Sequence, residues 1–386
     1  MQKPVLTILK KIGEHPVVSS YLTYLSDKTE ENFALFLREV YLFGAQDDLT
    51  SFVERLVLED ENAFSVSASA NETLSPFLRN GMMRDLTLLH DALFSEPQSH
   101  YFGREESHRP FTGDWGNDET IDALSALYLK GGYGKFLFYR AFRYEKQLVP
   151  VCSPSKITAY DLKGYAYEKK TIEDNLISFL DGFPFSNMLL YGDRGTGKSS
   201  TIHAMLNKYA ERGLRLVELP KEDLNALNHL KRTLVNIPLK FIIFIDDLSL
   251  EENDPSISTL KAALEGSVSE TAENTMIVAT SNRRHIVRES FAERENSVHA
   301  GDQMQEQLSL SDRFGISVYF STTGKVEYLD IVNKLADDMG LEYDRAKLDA
   351  LAERWALLKG GRSPRRAKQF VNLAYSYVSQ GKEITL

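Results

Sequence analysis

The sequence contains a single cysteine, Cys152, among its 386 residues. One cysteine cannot form an internal disulfide framework, which suits a reducing cytosol, and we expect it to act as a small apolar side chain. Long apolar runs are absent as well, since none approaches the 18 or more residues of a membrane span and residues 1–15 lack the apolar stretch of a signal peptide. These absences predict a cytoplasmic protein without a membrane span.

Basic residues are fewer than acidic ones, with 45 lysines and arginines against 55 aspartates and glutamates. The formal net charge of −10 argues against a protein-wide electrostatic affinity for nucleic acid, although it leaves room for a local basic patch. Hydrophobic residues make up 42% of the chain, which is ordinary for a globular protein. The composition therefore does not favour nucleic acid as a partner.

Residues 1–150 predict an acidic, mostly helical domain. Apolar residues recur at helical spacing in Glu31–Leu42 and in Ser51–Leu58. The polar segment 96–119 predicts a long loop or a flexible segment. The glycine-rich segment 130–135 has no preceding strand and no Ser or Thr after its last lysine, so it predicts a helix-to-helix turn rather than a phosphate loop.

The Pro- and Ser-rich segment 149–155 predicts a domain boundary. Residues 151–322 alternate apolar strand patterns with helical ones, which predicts an α/β domain with a parallel sheet covered by helices on both faces. Residues 323–386 show only helical patterns and predict a small helical domain. The predicted strands are Asn187–Tyr191, Leu214–Leu219, Lys240–Ile245, Thr275–Thr280 and Ile316–Phe320.

A phosphate-binding loop follows the first of these strands, because Gly192–Ser199 reads G-x-x-x-x-G-K-[ST] and a helical pattern covers Ser200–Tyr209. Glycines let several backbone N–H groups point at one phosphate, and the start of the helix adds its positive dipole end. Lys198 would reach the β- and γ-phosphates of a nucleotide, and the Ser199 hydroxyl would be a Mg²⁺ ligand. A glycine-rich surface turn does not explain the Lys-Ser pair. The predicted nucleotide-binding residues of the loop are Gly192, Asp193, Arg194, Gly195, Thr196, Gly197, Lys198, Ser199 and Ser200.

Two further predicted strands end in polar residues. Asp246 and Asp247 follow Lys240–Ile245, at the end where α/β sheets hold their ligands. Asp246 would hold Mg²⁺, and Asp247 would act as a general base toward water. The alternative is that an aspartate caps a helix at this turn. Thr275–Thr280 continues to Asn282, whose amide could orient the hydrolytic water, although asparagine is also a common turn residue.

The order of these motifs resembles that of AAA+ ATPases. The stretch from about Ala159 to Val371 is similar to a bacterial P-loop ATPase family that is catalogued as a domain of unknown function. The motifs that carry the resemblance are LLYGDRGTGKSS at 189–200, FIDDLSLEE at 244–252, LEG at 264–266, ATSNRRH at 279–285 and LSLSDRFG at 308–315. The resemblance implies an AAA+ P-loop sheet between helices, a C-terminal helical lid, and ATP with Mg²⁺ as the bound nucleotide and metal.

The resemblance also implies roles for single residues. Asn282 takes the sensor-1 position, and Arg313 is the arginine finger that faces the γ-phosphate held by a neighbouring subunit, with an ion pair inside one subunit as its alternative role. Arg365 is the first choice for the sensor-2 phosphate contact. The alternatives are Arg362 and Arg366, and the same cluster could be a solvated helix face or a nucleic-acid patch. The adenine contacts implied by the resemblance are Leu162, Gly164 and Tyr165.

Two departures from the AAA+ pattern narrow the expected function. The aspartate strand ends in Asp-Asp where many AAA+ motors have Asp-Glu, which resembles the initiator and helicase-loader branch. Residues 220–230 lack the aromatic-hydrophobic-Gly pore loop of protein unfoldases. We therefore expect a Mg²⁺-dependent ATPase that acts as a homo-oligomer on the assembly or remodelling of a protein partner bound through residues 1–150. The alternatives are a nucleotide-controlled assembly switch with little turnover and a DNA-associated loader.

Overall fold

The structure is a computed structural model and describes residues 4–95, 100–103, 105–251, 254–265, 273–282, 287–288 and 312–385. Parts of the predicted loop and motifs lie outside these ranges, at 96–99, 104, 252, 266, 283–285 and 308–311. The chain forms two compact units. The first comprises Met1–Tyr139 with Asn236–Leu239, and the second comprises Arg140–Val235 with Lys240–Leu386. Among the described helices, none is long and apolar enough to cross a membrane.

The first unit is helical, as the spacing of its apolar residues predicts. Its described helices are α1 (Lys10–Glu14), α2 (Pro16–Ser26), α3 (Glu30–Phe43), α4 (Leu49–Glu59), α5 (Ala63–Ser69), α6 (Pro76–Phe94), α7 (Asp118–Gly131) and α8 (Lys135–Phe138). Thr29, Asp48 and Asn117 begin α3, α4 and α7 as caps, since each side chain accepts a hydrogen bond from the backbone N–H three residues later. The glycine-rich segment 130–135 connects α7 to α8, as predicted. The fully buried large side chains of this unit include Phe36, Phe64, Trp115 and Tyr128.

Asp85 on α6 fixes the N-terminal segment of the first unit. Its carboxylate is fully buried, and its Oδ2 accepts hydrogen bonds from the backbone N–H groups of Thr7 and Ile8 at 2.7 Å and of Leu9 at 3.1 Å. Arg84 adds an opposite charge 3.1 Å from Oδ1. Because a buried charge is costly unless it is paired and hydrogen-bonded, the unit depends on this set of contacts.

We expect Asp85→Ala to lower the free energy of unfolding of the first unit by about 3 kcal/mol, because the backbone N–H groups at Thr7, Ile8 and Leu9 lose their acceptor. The buried Trp115 reports on this unit, so the measurement is urea unfolding followed by tryptophan fluorescence in a Trp355→Phe background. Asp91→Ala on the same helix is the matched control, because the side chain of Asp91 is 68% exposed. Equal unfolding midpoints for the two variants would contradict the role given to Asp85.

A seven-stranded sheet forms the centre of the second unit. The strands of this unit are β1 (Ala141–Tyr144), β2 (Leu148–Pro150), β3 (Met188–Gly192), β4 (Leu214–Glu218), β5 (Lys240–Ile245), β6 (Leu250–Glu251), β7 (Thr275–Ser281), β8 (Val287–Arg288) and β9 (Ile316–Phe320). The order in the sheet is β2-β1-β4-β5-β7-β3-β9, and β6 pairs with β8 separately. All neighbours in the large sheet are parallel except β1 and β2. The predicted strands β3, β4, β5, β7 and β9 are confirmed.

The first boundary lies earlier than the segment 149–155 predicts. Strand β1 pairs in parallel with β4, with Ala141 opposite Leu216, and β2 pairs with β1. Residues 141–150 therefore belong to the sheet and not to the helical unit. Strands of three or four residues are too short to show a period, so the Pro- and Ser-rich composition marks the end of this hairpin instead.

Helices cover the sheet and form the C-terminal lid. They are α9 (Ala166–Leu180), α10 (Lys198–Tyr209), α11 (Leu227–Leu234), α12 (Ser256–Glu265), α13 (Lys325–Asp338), α14 (Arg345–Leu358) and α15 (Pro364–Ser379). Consecutive residues of β5, which point to opposite faces, are all buried from Phe241 to Ile245, so both faces of the sheet are covered. Helices α13 to α15 make up the lid and share a core of their own that includes Tyr328, Ile331, Leu348 and Phe370.

Candidate nucleotide-binding site

The predicted phosphate loop connects β3, which ends at Gly192, to α10, which begins at Lys198. Gly192 has a φ of +127°, and a Cβ at this position would lie 2.1 Å from the backbone oxygen of Phe320, so only glycine fits there. Gly197 has a φ of +99° and places the chain for the first turn of the helix. The strand, loop and helix thus have the arrangement in which backbone N–H groups and a helix N-terminus converge on an anion.

Lys198 lies inside the loop and is only 7% exposed. Its ammonium donates hydrogen bonds to the backbone oxygens of Gly192 and Asp193, both at 2.8 Å. Burial lowers the pKa of Lys198, and the nearby carboxylates of Asp193, Asp246 and Asp247 oppose this shift. A donor-only positive charge is therefore held within the loop, where it can compensate an anion.

The two predicted metal ligands lie in direct contact. The Ser199 hydroxyl donates a hydrogen bond of 2.6 Å to Asp246 Oδ1. The same oxygen accepts a 2.6 Å hydrogen bond from the hydroxyl of Thr280, which is only 2% exposed. Hydroxyl and carboxylate oxygens are the ligand types that Mg²⁺ takes, so the chemistry of this pair fits a magnesium ion bound beside the loop.

Asp247 and Asn282 also come together, because β7 lies between β3 and β5 in the sheet. The Asn282 amide donates a 2.5 Å hydrogen bond to Asp247 Oδ1, and the backbone N–H of Asp247 donates to Thr280 Oγ1 at 2.9 Å. Asp247 has a φ of +51°, a left-handed conformation that costs energy in a residue other than glycine. The alternative role as a helix cap does not hold for either aspartate, since no helix begins within residues 246–251.

These side chains line a cavity of about 470 Å³. Of the predicted loop residues, Arg194 to Ser200 line it, whereas Gly192 and Asp193 do not. Gly192 packs against the backbone of Phe320, and the carboxylate of Asp193 turns aside to accept a hydrogen bond from Thr322. The remaining predicted residues that line the cavity are Leu162, Gly164, Tyr165, Asp246, Asp247, Asn282 and Arg365.

One wall of the cavity is formed by the segment that the resemblance assigns to adenine. Gly164 has a φ of +78°, and a Cβ there would lie 3.0 Å from Ile331 on α13. The Tyr165 hydroxyl donates a 2.6 Å hydrogen bond to the backbone oxygen of Ser321 and lies 3.1 Å from Thr323 Oγ1. Because Tyr165 is only 6% exposed, its ring supports this wall more than it offers a free stacking surface.

The structure distinguishes the three candidate arginines of the lid. Arg365 lines the cavity, and its backbone N–H donates a 3.2 Å hydrogen bond to the backbone oxygen of Gly195 in the loop. Arg362 instead pairs with Glu353, with a 3.0 Å hydrogen bond from Nε to Oε2. Arg366 donates a 2.7 Å hydrogen bond to the backbone oxygen of Gly361. Two of the three arginines are therefore engaged inside the lid, which weakens the interpretation of the cluster as a nucleic-acid patch.

Arg313 is not part of the cavity in its own chain. It precedes β9, in which Ile316 pairs with Met188 and Phe320 pairs with Gly192. Arg313 therefore lies near the beginning of β9, whereas the phosphate loop follows the opposite end of the neighbouring strand. Within one copy of the chain, Arg313 and the loop are not brought together.

Some residues of the site were not singled out from the sequence. In the sequence Thr280 is only the last residue of a predicted strand. Its position directly before Ser281 and Asn282 is the signal that indicates a contact between this strand end and the aspartates of another strand. The cavity also includes Lys169, Ile331, Leu335 and Lys368. None of these has a local sequence signal, because helical spacing alone does not show which helix faces the loop.

The order of the strands, the phosphate loop and the helical lid define a P-loop protein with the AAA+ fold. Residues 136–377 match the family described as "Protein of unknown function (DUF815)". This match covers more than half of the chain, and the protein belongs to that family. None of the curated proteins matches the chain significantly.

Solved structures of RuvB from Thermotoga maritima are similar to the chain. The structure described as the RuvB Holliday junction branch migration motor has 16% sequence identity and a TM-score of 0.42, and the match covers 59% of this chain and 68% of that chain. A variant of the same RuvB has 17% identity and a TM-score of 0.42, with the same coverage of 59% and 68%.

Proposed function

We propose that the protein binds ATP together with Mg²⁺ in this cavity and transfers the γ-phosphoryl group to water. The observation that carries the proposal is the meeting of three polar groups at the carboxyl ends of adjacent strands. The Lys198 ammonium follows β3, the Asp246–Asp247 pair follows β5, and Asn282 follows β7. Parallel sheets bind their ligands at this edge.

In this proposal the loop and the lid bind the phosphates. Backbone N–H groups of the loop and the Lys198 ammonium supply positive charge, and Arg365 adds a guanidinium from the lid. Ser199 and Asp246 would hold Mg²⁺, which when bound supplies a positive charge that compensates the phosphate oxygens. The 2.6 Å contact between Ser199 Oγ and Asp246 Oδ1 supports this assignment, because it places a hydroxyl oxygen and a carboxylate oxygen close enough together to bind one ion.

Asp247 is the general base in the proposed reaction. Asn282 holds Asp247 Oδ1, and Thr280 holds its backbone N–H, so the carboxylate is oriented before any water arrives. We assign Asp247 Oδ2 to accept the proton of the attacking water. The left-handed backbone of Asp247 is a conformation that persists only where surrounding contacts enforce it, which is a common property of functional residues.

A second copy of the chain completes the site in this proposal. Arg313 lies at the edge of the sheet opposite its own loop, so a guanidinium at this position serves a neighbouring copy better than its own. A fixed guanidinium offsets the charge that develops on the transferred phosphoryl group. We further propose that the resulting turnover drives the assembly or remodelling of a protein partner, which the helices of the first unit contact.

Replacing Asp247, the proposed general base, distinguishes an ATPase from a switch protein that binds ATP with little turnover. We expect Asp247→Asn to slow ATP hydrolysis by roughly 100-fold or more, because an amide cannot accept the proton, while ATP binding is retained. Phosphate release and the equilibrium binding of a fluorescent ATP analogue are measured side by side. Asp181→Asn is the matched control, since Asp181 pairs with Arg212 on the surface.

A different outcome would support the alternative function. If the wild-type protein and Asp247→Asn both bind ATP and both turn it over at the same negligible rate, the protein is a nucleotide-controlled assembly switch and not an ATPase that does work. In that case ATP should still change the oligomeric state, which sedimentation velocity measures.

A further inference from the structure

The segment that the resemblance assigns to the adenine base is tied to the end of a lid helix. We call residues 160–165 the base strap, and the part of the cavity that they line the base end, where base means the nucleotide base and not the general base Asp247. Lys163 Nζ lies 2.6 Å from Asp338 Oδ2, and the Tyr160 hydroxyl donates a 2.6 Å hydrogen bond to Asp338 Oδ1. The Lys163 ammonium also lies 3.7 Å from the centre of the Tyr160 ring. Both carboxylate oxygens of Asp338 therefore contact the base strap. Lys163 and Tyr160, which bind these oxygens, also stabilise each other through a cation–π contact between the ammonium and the ring.

This ion pair is more shielded from water than ordinary surface pairs. The side chains of Lys163 and Asp338 are 12% and 26% exposed, whereas those of the surface pair Lys170–Asp174 are 73% and 59% exposed. The hydrogen bonds from Lys163, and then from Tyr160, lower the pKa of Asp338, so its carboxylate is charged at neutral pH. A charge-assisted contact in this setting is stronger than an exposed pair.

The contact joins two walls of the cavity. Leu162, Gly164 and Tyr165 of the base strap line one side. Ile331 and Leu335 line another side, and they lie on α13, the helix that ends at Asp338. Because Asp338 belongs to the same helix as that second wall, α13 can move away from the base strap only if Lys163 and Tyr160 release Asp338.

We propose that Asp338 is a positioning residue that latches the base strap to the lid and thereby sets how slowly a bound nucleotide leaves the cavity. The inference rests on the proposed nucleotide binding and concerns its kinetics. Asp338 does not line the cavity, so it acts through Lys163, which does. A loosened latch widens the base end without removing any group that contacts the phosphates.

The test is the dissociation of a fluorescent ATP analogue from the full-length protein, chased with excess ATP. We expect Asp338→Asn to release the analogue about tenfold faster, because the amide keeps the shape of the side chain but loses its charge toward Lys163. Lys163→Met should accelerate release to a similar extent, and combining the two substitutions should add little. Tyr160→Phe, which removes only the neutral donor, should have a smaller effect.

Asp337→Asn is the matched control, since the neighbouring Asp337 pairs with Arg345 inside the lid and does not contact the base strap. It should leave the release rate unchanged. An unchanged release rate for Asp338→Asn, or an equal acceleration by Asp337→Asn, would overturn the latch. Failure of the wild-type protein to bind the analogue would instead overturn the proposed function, so the two failures are distinguishable.

Discussion

The Lys198→Ala variant is expected to lose measurable ATP binding and to hydrolyse ATP at least about 100-fold more slowly than the wild-type protein. The reason is that Lys198 supplies a buried positive charge within the phosphate loop, held 2.8 Å from the backbone oxygens of Gly192 and Asp193. Without the Lys198 ammonium, the loop has less positive charge to compensate the negative charges of the Asp246 and Asp247 carboxylates. Binding of a fluorescent ATP analogue and phosphate release measure the two effects.

Lys208→Ala is the matched control for this prediction. Lys208 lies on the same helix, its side chain is 50% exposed, and it pairs with Glu173 at 2.5 Å. We expect this variant to bind and hydrolyse ATP as the wild-type protein does. Circular dichroism checks that Lys198→Ala remains folded. A folded Lys198→Ala protein with wild-type ATP affinity would show that the loop is not the phosphate site.

The Arg313→Ala variant is expected to hydrolyse ATP about 1000-fold more slowly, while its own affinity for ATP stays close to that of the wild-type protein. Removing this guanidinium takes away transition-state charge compensation but no group that lines the nucleotide cavity of the same copy, because Arg313 is not among the residues of that cavity. Hydrolysis rates across a range of protein concentrations measure the first effect, and analogue binding measures the second.

Arg212→Ala is the control for the arginine substitution. Arg212 is 44% exposed and pairs with Asp181 on the surface of the same unit. Its replacement should change neither rate nor affinity. If Arg313→Ala kept wild-type turnover, Arg313 would have the structural role of an ion pair within one subunit, and the site would need no neighbouring copy.

The phosphate loop and the paired aspartates could be predicted from the sequence because their signals are local. The spacing of Gly192, Gly197, Lys198 and Ser199 is set by the geometry of one turn and the start of one helix, so it is written in consecutive residues. The strand before Asp246 is a continuous apolar run, since parallel strands are buried on both faces. Such elements can be predicted because a few consecutive residues determine them.

Contacts between distant parts of the chain could not be predicted in the same way. The Thr280 hydroxyl meets Asp246 only because β7 is inserted between β3 and β5, an order that follows from the crossovers and not from either strand alone. The tie from Lys163 to Asp338 joins the base strap to the lid across a long separation in sequence. Neither contact has a spacing rule, and a lysine or aspartate on a helix usually indicates only a solvated face.

The choice among the three lid arginines shows the same limit. The sequence places Arg362 just before α15 and Arg365 and Arg366 in its first turn, but it does not reveal which of them meets the loop. The fold decides this, because Gly195 has no side chain and so allows the backbone of Arg365 to approach to 3.2 Å. The glycine and the arginine thus form one feature, although 170 positions separate them in the sequence.

Mixing two inactive variants tests most directly whether the site is shared between copies. Asp247→Asn lacks the base but keeps Arg313, and Arg313→Ala keeps an intact cavity. If neighbouring copies complete each other's sites, an equal mixture should regain a clear fraction of wild-type ATP hydrolysis, because the first variant supplies its guanidinium to the cavity of the second. A mixture that hydrolyses ATP no faster than the separate variants would contradict a site completed by a second copy of the chain.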